Sequence, residues 1–354
     1  MRLLLKTLKF SALVISVLAG LFLLFLLVIT LSDYRPEDRI AGNVIGNKGK
    51  MPVPDSIFTI ETWNLGYFGL GSKSDFFYDG GKMTMPDKPY YEQCISGALD
   101  YLGRSDKPDL FFFQEVDLDS KRSYRENQVE RIMEVFPGYQ AAYAVNYKVI
   151  YVPVPVRKPQ GHVNSCIATF SRFSSVENTR YAFSTGFAWP VGLFMLDRCF
   201  LLTRVPLPSG KDLVLINTHN EAFDNGSQRK QQLALLKETM MSEFTNGNYV
   251  VVGGDWNLNP LGYEPSSFTN GDQGRTIEPA IEKDFLPEDW NWVFDPSTPS
   301  NRNVDEAYTK GSTPTTIIDF FVVSPNLTVL EIRTLDLGFQ WSDHNPVRMK
   351  FGLR

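Results

Sequence analysis

The chain opens on an unbroken apolar run. Phe10 to Ser32 carries no charged residue and consists mostly of Leu, Val, Ile and Phe. At about 1.5 Å per residue, a helix of that length covers roughly 30 Å, the hydrocarbon thickness of a bilayer. Beyond Asp33 the texture changes. Residues 33–55 are polar and punctuated by Pro and Gly, as in a tether. Short apolar runs follow, each closed by polar residues. They predict strands over 57–63, 110–114, 167–173, 199–205, 213–218, 249–254, 317–323 and 347–351. Several are apolar at consecutive positions, the pattern of a strand covered on both faces. Val129, Ile132, Met133 and Phe136 share one helical face, and so do Leu233, Leu236 and Met240. Strands and helices interleaved in this way predict a layered α/β or α+β sandwich.

The pattern divides the chain into a membrane segment (1–32), a tether (33–55) and one globular domain (56–354). Within the domain, 66–90 and 143–165 look like inserted loops, the second because of Pro153, Pro155 and Pro159. The aromatic, aperiodic segment 181–197 reads as ordinary core, the alternative being an exposed apolar patch near the membrane.

Charge assigns the apolar run a direction. Arg2, Lys6 and Lys9 precede it, and Asp33 and Glu37 follow. By the positive-inside rule the N-terminus stays cytoplasmic and the domain is exported, giving a single-pass membrane protein. The exit "VITLSDYRPEDR" lacks a small-x-small cleavage site, which favours an uncleaved signal-anchor over a cleaved signal peptide. The formal charge of −5 becomes −8 once the three basic residues before the run are set aside. Such an acidic body is poorly suited to backbone-driven nucleic-acid binding, although a local basic patch would suffice for a nuclease. Cys94, Cys166 and Cys199 match no zinc spacing and are expected to be buried thiols. Nothing in the pattern points to an obligate protein partner.

The candidate chemistry sits at the strand ends. Asn64 follows the first strand in "TWNLG", and Gln114 and Glu115 follow the second in "FFFQEVD". "INTHNEA" carries Asn217 and His219, and "GGDWN" carries Asp255 and Asn257. "WSDHNPV" carries Asp343 and His344 just before the last strand. Any one of these is an ordinary turn or cap residue when taken alone. Asp319 is different: a charge among Ile and Phe in "IIDFF" costs several kcal/mol unless it is paired. Two of the three histidines, His219 and His344, fall within these motifs, while His162 lies in the Pro-rich loop. An oxygen-rich donor set without clustered Cys or His suits Mg²⁺ or Mn²⁺. Glu115 is the candidate principal ligand, with Asn64 beside it. Asp255 and Asn257, one residue apart, would project to the same side of an extended segment. Gly253 and Gly254 would let the chain turn there.

Taken in order, the motifs N, QE, NTH, GDxN, ID and SDH resemble the endonuclease/exonuclease/phosphatase superfamily. Its members include deoxyribonuclease I, apurinic endonucleases, inositol-polyphosphate phosphatases and neutral sphingomyelinases. The resemblance spans about residues 57 to 353. It implies a four-layer sandwich, two mixed β-sheets packed face to face with helices outside. It also implies Mg²⁺-dependent phosphoester hydrolysis by in-line attack of water. By motif, Glu115 resembles the metal ligand, with Asn64, Asp343 and Asp255 as further candidates. His344 resembles the histidine that takes a proton from the attacking water, and Asp343 the carboxylate that orients it. Asp319 falls where the family has a carboxylate. Asp255 and Asn257 resemble the pair holding nucleophile and phosphate, and His219 resembles a histidine contacting the phosphate or the leaving oxygen. One departure is Ile317, where many relatives carry a basic residue two positions before the Asp.

The anchor, the acidic domain and the "NTH" histidine lean toward a phosphodiester lipid headgroup as substrate. An exported nuclease uses the same motifs. A sugar or inositol phosphatase would call for more clustered Lys and Arg than "VRKPQGH" and "SQRKQQ" supply.

Overall fold

The structure is a computed structural model, and it describes residues 2–46, 53, 56–104, 106–184, 186–222, 226–264 and 280–354. The part of the expected tether at 47–52 and 54–55 lies outside them.

Helix α1, Arg2–Leu31, is long and apolar enough to cross a membrane, and only Leu26 and Ile29 along it are buried. The chain then does something the polar texture of 33–55 did not announce. Strand β1 (Arg39–Ala41) and strand β2 (Asn43–Gly46) each extend an edge, one on either sheet. Within the expected tether, residues 39–46 are thus an edge strap that pairs with both sheets. Edge pairing uses backbone groups, so it needs no apolar alternation to announce it.

The remaining strands are β3 (Ile57–Asn64), β4 (Leu110–Asp117), β5 (Gln140–Val152), β6 (Gly161–Ser171), β7 (Glu177–Ala182), β8 (Cys199–Pro206), β9 (Asp212–His219), β10 (Tyr249–Asp255), β11 (Asn291–Val293), β12 (Asn301–Arg302), β13 (Thr315–Thr316), β14 (Asp319–Val323), β15 (Leu327–Thr334) and β16 (Val347–Leu353). The first sheet runs β1-β7-β8-β9-β10-β14-β11, and the second runs β15-β16-β3-β4-β6-β5-β2. Each is mixed: β3 and β4 are parallel, as are β9 and β10, and the other pairings are antiparallel. The stretch expected to be a loop over 143–165 is mostly the β5–β6 hairpin, with the prolines confined to its tip.

Helices cover the outer faces. Asp87 caps α2 (Lys88–Leu102) by accepting from the Tyr90 amide, and Asn127 caps α3 (Gln128–Val135) in the same way. These two helices seal the second sheet through Tyr91, Ile95, Val129 and Ile132. Helix α4 (Ser227–Thr245) covers the first sheet through Leu236 and Met240. Between the sheets, Phe58, Ile60 and Phe112 of one meet Leu215, Val251 and Phe321 of the other. This is the four-layer sandwich.

Gly253 and Gly254 lie inside β10 and make no turn. A Cβ on Gly253 would stand 2.4 Å from the Phe321 ring, and one on Gly254 2.0 Å from the Thr218 carbonyl oxygen. The glycines let the sheets and neighbouring backbone approach closely. The three cysteines are buried and free.

Candidate active site

Strand direction gathers the polar residues. The parallel pairs β3/β4 and β9/β10 end on the same rim, where Asn64 lies opposite Gln114 and Asp255 opposite His219. Strand β14 runs the other way and starts there, so Asp319 lies opposite Asp255. The loop before β16 brings Asp343 and His344 to the same rim. It is pinned there: Trp63 Nε1 donates to the His344 carbonyl at 2.9 Å, and Ser342 Oγ donates to the Asn64 carbonyl at 2.7 Å.

Beneath the rim two of the motif amides bridge the sheets. Gln114 Nε2 donates to Asn217 Oδ1 at 2.7 Å, and Asn217 Nδ2 donates to the carbonyls of Phe113 and Ala168. Both side chains are buried, so they form the floor of the site and face away from any substrate.

Glu115 is aimed by a backbone irregularity. The β4–β6 register shifts between Phe113 and Val116, and Glu115 has φ 52°. Left-handed backbone at a non-glycine costs roughly 1–3 kcal/mol and persists where the surroundings enforce it. Arg122 supplies a positive charge beside Glu115. Buried, it forms a two-pronged ion pair with Asp117 at 3.0 Å and lies 3.9 Å over the Tyr67 ring. Asn257 repeats the device with φ 49°: its amide donates to Asp255 Oδ1 at 2.9 Å and its side chain to the Asn220 carbonyl. The expected extended geometry for Asp255 and Asn257 is therefore corrected. The strand ends at Asp255, and the carboxylate closes a tight turn on its own backbone.

His344 lies at the centre. Its Nδ1 is 2.7 Å from Asp319 Oδ2, which also accepts from Ser300 Oγ. Its Nε2 is 3.8 Å from Asp255 Oδ2 and 4.0 Å from Asp343 Oδ2. The orienting carboxylate is thus Asp319, correcting the assignment to Asp343. The isolated charge within the apolar strand has its partner. Burial draws the imidazole pKa down, but Asp319, then Asp343 and Asp255, push it up to about 10. With Nδ1 against Asp319 and three carboxylates around the ring, the site favours the charged imidazole, a proton donor at Nε2. Burial raises the pKa of Asp255 and of Asp343. His219, with Nε2 3.4 Å from Asp255 Oδ2, is held neutral by burial and by the nearby charges of Arg198 and His344.

Asn64 is held in one orientation. Its Oδ1 accepts from the Gly66 amide, and its NH₂ donates to Asp255 Oδ2 at 2.9 Å and Glu115 Oε1 at 3.3 Å. It therefore ties the two carboxylates together, and its Oδ1, with one lone pair taken by Gly66, keeps the other beside Glu115. The other carboxylates fit a divalent cation. Glu115 and Asp343 repel one another, Asp343 and Asp255 are buried, and all three are oxygen donors. Among the described residues, Asp255, Asp319 and His344 also place one ligand atom each within 4.8 Å of one another, with His344 Nδ1 already bonded to Asp319. His162 pairs with Asp119 away from the site. Sequence reasoning missed Asn301, whose Nδ2 lies 3.0 Å from His344 Nε2, and Ser300 under Asp319. They sit at and just before the two-residue strand β12, in a polar stretch with no apolar pattern to mark it.

The sequence profile of the Endonuclease/Exonuclease/phosphatase family matches residues 62–344. No curated protein matches the chain. Among solved structures, an endonuclease/exonuclease/phosphatase from Beutenbergia cavernae aligns with TM-score 0.58 and 17% identity, over 84% of this chain and 72% of that one. ANGEL2, a 2',3'-cyclic phosphatase, aligns with TM-score 0.53 and 16% identity over 89% and 98%. A protein of the same description as the first, from Bacteroides vulgatus, aligns with TM-score 0.52 and 16% identity over 84% and 99%. At these identities the likeness establishes the fold.

Proposed function

The chain belongs to the endonuclease/exonuclease/phosphatase family, whose members hydrolyse phosphoesters, and on that premise we propose that it is a membrane-anchored phosphodiesterase acting on a lipid phosphodiester. One observation carries the reading: His344 stands among Asp319, Asp255 and Asp343 on the rim that also bears Glu115 and His219. An acidic chain of net charge −5, with α1 running into the domain, supports a lipid headgroup over a nucleic acid.

The geometry supports the following roles. A divalent cation, Mg²⁺ or Mn²⁺, held by Glu115 with Asp343, would polarise the phosphate oxygens and neutralise charge on the leaving oxygen. Asp255, raised by burial, is the carboxylate placed to accept a proton from water. The water oxygen bonds to phosphorus as the bond to the leaving oxygen breaks, and that oxygen takes its proton from solvent. His344, protonated and fixed through Nδ1, turns Nε2–H toward the phosphate oxygens and stabilises the charge growing there. Neutral His219 contacts the phosphate from the β9 side, and Asn257 fixes the Asp255 turn.

The test uses the full chain in detergent micelles with Mg²⁺. Plasmid DNA, a choline-phosphodiester lipid, bis-p-nitrophenyl phosphate and a sugar phosphomonoester are supplied in parallel. Hydrolysis of the lipid and the soluble diester is expected. Nicked plasmid without lipid turnover would replace the lipid reading by a nuclease, and monoester turnover alone would replace it by a phosphatase.

A further inference from the structure

We propose that the catalytic rim faces the bilayer, with the β5–β6 tip and the segment 186–196 seated in the leaflet into which α1 runs. This rests on the reading of α1 as a membrane span.

Three observations converge on it. The first is where α1 touches the domain. The Phe25 ring stacks on Phe194 at 6.2 Å and meets Tyr151 edge-on at 6.3 Å, and Trp189 Nε1 donates to Thr30 Oγ1 at 3.2 Å. Phe25 lies six residues before the end of α1, so its level is about 9 Å along the helix from Leu31. A bilayer that covers the helix to its end therefore also covers the level of Tyr151 and Phe194. The strap holds this arrangement, because β1 and β2 fasten the chain leaving the helix to both sheets.

The second is which end of the domain this is. Asp117, the last residue of β4, pairs with Ser165, and β6 continues back to Gly161 opposite Val152. The hairpin thus runs on by four residues, about 13 Å, past the strand that carries Glu115. Strand β8 begins where β9 ends, with Phe200 opposite Thr218, so the segment before it adjoins His219. Both apolar segments project from the catalytic rim.

The third is their chemistry. Residues 181–196 contain no charged residue, and 143–165 contain Lys148, Arg157 and Lys158 with no Asp or Glu, in a chain of net charge −5. Val156 is 88% exposed, Trp189 61% and Val191 54%. The expectation that 181–197 is ordinary core is thus corrected, and an apolar tip edged by cations matches a lipid surface, each cation adding about 1 kcal/mol near anionic headgroups. The occupant is the bilayer, because the apolar surface continues directly from the helix that enters it.

The experiment places a single environment-sensitive fluorophore on the full-length chain in phosphatidylcholine–phosphatidylglycerol vesicles. The native cysteines are buried, so Val156→Cys and, at the opposite end of the sheet, Val176→Cys are labelled selectively. The Val156→Cys label is expected to be quenched by doxyl-labelled lipid and protected from aqueous iodide, and the Val176→Cys label the reverse. Iodide quenching at both positions overturns the proposal. So does a Val156→Cys label shielded from both quenchers in a cross-linkable dimer, which would make a second copy the occupant. Retention on the vesicles through an alkaline carbonate wash reads the span separately. A chain that stays bound with its Val156→Cys label facing water sinks the docking and leaves the anchor standing.

Discussion

Replacing Asp319 by Asn keeps the shape of the side chain and removes one charge from beneath His344. Asp319 is the largest of the contributions that raise the imidazole pKa, through its charge and the 2.7 Å bond to Nδ1. Together they hold the imidazole at about 10 against an ordinary 6.5. At about 1.4 kcal/mol per decade this is on the order of 5 kcal/mol favouring the charged ring, even after the cost of burial. Losing half of it is about 2.5 kcal/mol, roughly 50-fold in any step that needs the cation in place. The amide also permits the wrong ring orientation, and comparable changes in catalytic dyads cost about 10²–10⁴ in kcat. Asp319→Asn should therefore lower kcat on bis-p-nitrophenyl phosphate by at least roughly 50-fold, leave KM little changed, and move the alkaline limb of the pH–rate profile toward neutrality. The sign for stability follows from a folded-state pKa above the unfolded one. The charge on His344 stabilises the cation-free fold below about pH 6.5, and this contribution is lost as pH rises through about 10. The deficit in Tm of Asp319→Asn should accordingly be largest near pH 6 and narrow above pH 10. A folded variant with kcat within threefold of the parent and an unmoved alkaline limb would refute the assignment of His344 as a carboxylate-held cation.

Glu115→Gln should lower divalent-cation-dependent turnover by at least about 10²-fold and weaken Mg²⁺ or Mn²⁺ binding in calorimetry. Full activity after that change, or after chelation, would remove Glu115 and the cation from the reaction. Gly253→Ala should destabilise the domain by roughly 1–3 kcal/mol in urea unfolding, because its Cβ meets the Phe321 ring of the neighbouring strand at 2.4 Å inside the core; an unchanged midpoint would show that the ring can swing aside at no cost. Trp189→Asp, at an exposed position, should lower turnover of vesicle-embedded lipid roughly tenfold, the scale of one lost apolar anchor, while sparing the soluble diester. Equal effects on both substrates would argue against a leaflet contact.

The strands buried on both faces were legible because their apolar runs are continuous. In β4 the run is Leu110, Phe111, Phe112 and Phe113, and each of the four is buried. Strand ends were legible for the same reason: a polar residue stands out against such a run. What the sequence did not disclose is set by backbone or by space. Strands β1 and β2 are short edge pieces whose pairing is made by main-chain groups, so their side chains alternate weakly. The role of Gly253 depends on the Phe321 ring, from a strand far later in the chain. Glu115 and Asn257 owe their aim to positive φ, which nothing in the types Glu and Asn requires. Asp319 and Asp343 could not be told apart as partners of His344, because being next to a histidine in sequence does not place a carboxylate against its ring. Asp343 adjoins His344 along the chain, and the shorter contact comes from Asp319, across a strand.

The corrections share one cause, and it also explains why the site is built where it is. Parallel strands deliver their C-terminal residues to one rim, and antiparallel neighbours start from it, so Asn64, Glu115, His219, Asp255, Asp319 and His344 meet without any long loop to carry them. The same convergence forces several carboxylates into a buried space, and burial raises the pKa of Asp255 and of Asp343. A fold selected for stability alone would not retain like charges there. They are tolerated because His344 takes up part of the charge and because the site has the oxygen donors to take up a divalent cation for the rest. The αL backbone at Glu115 and Asn257 lies at the same rim, and at Asn257 the Asp255 carboxylate holds it through the backbone amide. Left-handed backbone, buried carboxylates and depressed imidazole basicity at His219 therefore meet at one rim.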